Sequence, residues 1–127
     1  MPRILIILFL SISLAGTAQN EDIGDLLLAL KNSKEDTSRI NILHDIQAAY
    51  LDVDNDSALF YNKQAEVLID KLQAESLRHR CYHAFVKIYH AKFDNAMAVD
   101  YCLKGIAVAE KFKDDFQKGF VVLWLGF

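Results

Sequence analysis

From Gln19 onward, apolar side chains recur at i, i+3 and i+4, and the period-two alternation of strands is scarce. Ile23, Leu26, Leu27 and Leu30 line one face of a short helix, which the polar stretch from Asn32 to Asp36 interrupts. Thr37 or Ser38 stands where an N-cap would accept from the free N–H groups of a second helix. That helix is expected to run to about Leu51, with Ile40, Leu43, Ile46, Ala49 and Tyr50 on its apolar side. The run Asp52-Val53-Asp54-Asn55-Asp56 reads as a turn, from which Asn55 or Asp56 can cap a third helix through about Leu72. A fourth helix is expected from near Leu77 to His90 and a fifth from near Asp94 to Phe112. The loops between them are only a few residues long, so consecutive helices should form antiparallel hairpins in an all-α fold.

The first eighteen residues obey a different pattern. Arg3 precedes a predominantly apolar run from Ile4 to Leu14, interrupted only by Ser11 and Ser13 and followed by Ala15-Gly16-Thr17-Ala18. A basic start, a short apolar core and small residues before a cut make a secretory signal peptide, with cleavage before Gln19. Eleven helical residues reach about 16 Å, roughly half the hydrocarbon thickness, so this run does not span a bilayer. The protein is thus expected to be exported, periplasmic or extracytoplasmic.

The helical part repeats itself. A shift of 39 superimposes Leu43 on Tyr82, Ile46 on Phe85 and Tyr50 on Tyr89. A shift of 40 superimposes Ala58 on Ala98, Tyr61 on Tyr101 and Lys71 on Lys111, the extra residue falling in a turn. Small residues recur as well: Ala58 and Ala65 correspond to Ala98 and Gly105. Small side chains seven apart share a helical face and let a paired helix approach closely, so this similarity reflects a packing requirement.

These residues resemble the tetratricopeptide repeat family. Its pattern has a bulky residue, Leu-Gly and Tyr on one helix, then Ala and an aromatic on the next. Tyr82, Phe85-Val86, Tyr89, Ala98, Tyr101 and Gly105 follow it without gaps. Leu43, Ile46-Gln47, Tyr50, Ala58, Tyr61 and Ala65 follow it with one deletion. Val86 and Gln47 stand in place of the family's glycine, and the closing proline is missing. The resemblance covers residues 38–113 and implies an α-α superhelix. The chain then divides into a signal peptide (1–18), a lead-in helix and linker (19–37), two repeats (38–76 and 77–116) and the start of a third (117–127). That last segment contains Val122-Leu123-Trp124-Leu125-Gly126, the Leu-Gly pair at the expected spacing. Arrays normally end on a polar outer face, whereas Gly119 to Phe127 is apolar. The chain therefore reads as the front piece of a longer protein, with an apolar end that offers a surface for self-association.

Composition and charge narrow the function classes. The formal net charge is −3, and it becomes −4 when Arg3 leaves with the signal peptide. That sign argues against a nucleic-acid surface. Asp52-x-Asp54-x-Asp56 imitates the start of a calcium loop, but Ser57 and Lys63 occupy the positions that need Gly and a bidentate Glu. His79 and His83 are four apart on one helix, yet no Glu follows His79, so a solvated face is expected and no metal site. Cys81 and Cys102 fall on the two helices of one hairpin. Packed helix axes lie about 8–10 Å apart, which favours two free thiols. No serine elbow, phosphate loop or paired-carboxylate constellation is present, and neither an enzyme nor a cofactor is expected.

The family resemblance implies peptide binding along a concave face lined by the first helix of each repeat. It places Asn41, His44, Asp45 and Ala48 there from one repeat, and Arg80, His83, Lys87 and His90 from the other. The candidate peptide-binding residues are His44, Arg80, His83, Lys87 and His90, a basic set suited to an acidic segment or a C-terminal carboxylate. The lysines and asparagines of the family's carboxylate clamp are absent from the matching places. A signal peptide followed by such repeats resembles the exported front of bacterial sensor kinases and helix-turn-helix regulators. The alternative is a stand-alone periplasmic adaptor. In either case the expected partner is a protein or peptide.

Overall fold

The computed structural model describes residues 23–111. The expected signal peptide and the expected start of a third repeat lie outside the described residues. Within them the chain is all-helical: α1 (23–32), α2 (Thr37–Tyr50), α3 (Asn55–Leu72), a single 3-10 turn (Glu75–Leu77), α4 (Arg78–Ala91) and α5 (Asn95–Lys111). Helix α2 packs on α3 and α4 on α5, each pair joined by a tight turn. The hairpins meet mainly through α3 and α4, with a smaller contact between α2 and α4. No helix among the described residues is long and apolar enough to cross a membrane.

Capping shows how the turns are set. Asp36 precedes α2, and its carboxylate accepts from the Ser38 N–H at 2.9 Å. Asp54 does the same for α3, accepting from the Ser57 N–H at 3.1 Å and the Ser57 hydroxyl at 2.7 Å. The caps therefore sit one or two residues earlier than the Thr37 or Ser38 and Asn55 or Asp56 expected from sequence. An Asp carboxylate accepts a backbone N–H directly, leaving the following serine to donate to it. Asp94, forty residues after Asp54, accepts from the Met97 N–H at 3.1 Å. Asp52 and Phe93 occupy left-handed backbone within these two turns, with φ of 66° and 59°. Replacing Asp36 or Asp54 with Ala is expected to lower the urea midpoint of unfolding in each case, because the first-turn N–H group loses its side-chain acceptor.

One core joins both hairpins. Ile40 and Leu43 of α2, Ala65, Leu68 and Ile69 of α3, Cys81, Phe85 and Tyr89 of α4, and Ala98 of α5 belong to a single buried cluster. Leu30 of α1 packs against it. The small residues Ala58, Ala65, Ala98 and Gly105 are all buried, as close helix approach requires. Phe85 stacks on Tyr101 with ring centroids 4.3 Å apart, and Tyr101 stacks in turn on Tyr89 at 5.7 Å. Ala49 and Tyr50, expected on the apolar side of α2, are only partly buried, while His44 and Gln47 take core positions.

Candidate functional site

Helices α2 and α4 lie side by side and present a shared face. Asn41, Asp45 and Ala48 of α2 are exposed there, as are Arg80 and His90 of α4. Arg80 crosses between the hairpins: its guanidinium lies 3.4 Å from Asn41 Oδ1 and 3.4 Å from Asp45 Oδ1. Both members of the Arg80–Asp45 pair are about half exposed, so the pair is loose, screened by water, and open to exchange with another carboxylate.

His44 departs from the sequence expectation. It is only 1% exposed, turned inward between α2, α3 and α4, so it presents nothing to a peptide on this face. Burial holds its imidazole down at a pKa of about 4, with the positive charge of Arg80 adding to the effect. The Asn62 side chain opposes that shift from α3, although neither ring nitrogen closes a hydrogen bond of ordinary geometry. Asn62 itself is fully buried and donates to the Cys81 carbonyl oxygen at 3.0 Å, tying α3 to α4.

His83 is partly buried, and burial together with neighbouring Lys87 lowers its pKa to about 4. It is neutral at pH 7, so of the expected basic set Arg80 and Lys87 supply the positive charge while His83 offers a neutral ring. Cys81 and Cys102 are free, buried thiols. Desolvation raises both, Cys81 to about 12, which keeps them protonated and unreactive at neutral pH. No group of His, Cys, Asp and Glu among the described residues is arranged to hold a metal ion.

A second feature escaped the sequence argument. The outer side of the α2–α3 hairpin carries an open groove of about 360 Å³, between Arg39 and Leu43 of α2 and the stripe from Phe60 to Lys71 of α3. Its sequence signal is the spacing of Phe60, Lys63, Val67 and Lys71, which sets apolar and basic residues together on one face of α3.

No protein-family model matches the chain, and neither does any curated protein or solved structure.

Proposed function

We propose that this chain is a helical-repeat interaction module of the tetratricopeptide kind, which holds an acidic peptide segment across the face shared by α2 and α4. The observation that carries this is the Arg80 bridge. A guanidinium half exposed to water, with an Asp45 carboxylate 3.4 Å away, is a ready exchange site for a partner's carboxylate. Lys87, nearly two turns further along α4, offers a second positive charge on the same helix. Asn41 beside Arg80 adds an amide able to donate or accept. Such a surface recognises and positions a partner. The apolar run from Ile4 to Leu14 supports export. The resemblance to exported repeat regions of sensor proteins supports a role in extracytoplasmic signalling, with a stand-alone periplasmic adaptor as the other reading.

The test is a titration of the full chain with fluorescein-labelled hexaglutamate bearing a free C-terminus, followed by anisotropy. Arg80→Glu with Lys87→Glu is expected to weaken binding about tenfold or more, because attraction becomes repulsion at two positions. Affinity unchanged by that pair of substitutions would remove this face from consideration.

A further inference from the structure

The α2–α3 groove is built for a partner of definite chemistry. Its floor is the core itself, through the buried side chains of Leu43 and Leu68. Along it stand Phe60 and Val67, which are 58% and 67% exposed and seven residues apart on α3. Large apolar groups left in water on one side of a helix mark a docking surface when they border an open groove. Arg39, Lys63 and Lys71 rim this one, and Glu35 is its single acidic lining residue. A patch with three cations to one anion is unusual on a chain of net charge −3.

The other hairpin shows what such a position accepts. Arg78, thirty-nine residues after Arg39, also stands at the start of its hairpin's first helix. Its guanidinium is gripped by Asp70 of α3 at 2.6 Å and by both oxygens of Glu75 at 2.7 Å. Glu66 stands one turn before Asp70; burial and the charge of Asp70 raise its pKa, and Arg78 and Lys104 partly offset this. Helix α3 thus lays an acidic edge, Glu66 and Asp70, beside a small and apolar stripe, Ala65 and Ile69, as it packs toward α4. Arg39 is held more loosely: it donates to the Ser33 hydroxyl and carbonyl oxygens, and the carboxylate that feels its charge, Glu35, is already hydrogen-bonded by Lys71. Lys71 meets Glu35 at 2.7 Å, with each side chain half exposed or more, so a competing carboxylate can share that lysine. Helix α1 reaches the core through Leu30 but lines no part of the groove.

We infer that the α2–α3 groove docks an acidic amphipathic helix of a partner protein, with carboxylates one turn apart meeting Arg39, Lys63 and Lys71 and an apolar stripe covering Phe60 and Val67. The stretch from Phe60 to Lys71 covers eleven helical steps, or about 16 Å, which matches about three turns of such a helix. This surface is separate from the α2–α4 face and takes a different ligand, because it needs apolar side chains as well as acidic ones.

The probe is a fluorescein-labelled peptide of residues 55–72 carrying Lys63→Glu and Lys71→Glu, titrated by anisotropy against the full chain. Saturable binding is expected. It should weaken about tenfold or more when the protein carries Lys63→Glu with Val67→Asp, and similarly when the peptide carries Glu66→Gln with Asp70→Asn. Both protein positions are exposed, and the milder pair Lys63→Gln with Val67→Ser, expected to weaken binding severalfold, serves if charge reversal impairs folding. Arg80→Glu with Lys87→Glu should leave this affinity unchanged while weakening hexaglutamate, so the two surfaces are judged independently. The proposal is overturned by an absence of saturable binding, by binding indifferent to the groove substitutions, or by binding lost only with the α4 substitutions.

Discussion

Acidification from pH 7.5 to 4.5 is expected to cost the fold roughly 2–3 kcal/mol through His44 alone. In the folded chain this imidazole titrates at about 4, against an ordinary value of 6.5. Between those values the unfolded chain binds a proton that the folded one refuses, so stability falls as pH drops through 6.5 and levels off below about 4. The refusal has a structural cause. The ring is buried, the cationic Arg80 acts on it from α4 together with the titratable His79, and Asn62 acts on it from α3 with a neutral side chain. Asp45, the next residue on its own helix, is engaged by Arg80. His83 titrates in the same low range and adds to the loss. The measurement is urea denaturation at the two pH values, for the natural chain and for His44→Leu. The substitution should remove up to about half of the pH-dependent loss, the remainder belonging to His83 and to the hydrogen-bonded carboxylates. An equal loss in both proteins would show that His44 is not the group responsible.

Burial of His44 also marks where the sequence stopped being informative. The five helices were legible because their apolar residues follow the helical period. The pairing of neighbouring helices was legible because connections of three to five residues turn the chain back on itself. The small residues Ala58, Ala65, Ala98 and Gly105 were recognisable as contact positions from their recurrence alone. Periodicity reports which residues share a face, however, and says little about how wide the buried sector is. His44 and Gln47 adjoin the stripe of Ile40, Leu43 and Ile46, and the packing of α4 across α2 extends burial over them. For the same reason Arg80 could be placed on a basic face, but its bridge to Asn41 and Asp45 depends on how two hairpins sit together. The groove was hidden by its own composition: Lys63 and Lys71 on α3 look like an ordinary solvated side until Phe60 and Val67 are seen beside them in the open.

Phe85→Ala is expected to destabilise the chain by about 3–5 kcal/mol, most of the stability available to a helical domain of this size. Phe85 is 0% exposed, and its removal leaves a void in the cluster to which all four helices of the two hairpins contribute. The substitution also deletes the stacking of Phe85 on Tyr101, a pair whose geometry is worth about 1 kcal/mol beyond the area it buries. Phe60 provides the contrast within the same fold. It is the same residue type on a helix of the same core, but it is 58% exposed, so Phe60→Ala should cost about 0.5 kcal/mol or less. Because one cluster joins α2, α3, α4 and α5, the loss at Phe85 should reach both hairpins together. Denaturation followed by circular dichroism and by tyrosine fluorescence should then give coincident transitions, displaced together to much lower urea in Phe85→Ala. If the first hairpin instead melted unchanged while the second unfolded early, the two hairpins would be energetically separate, and the contact of α3 with α4 would be a seam between independent units.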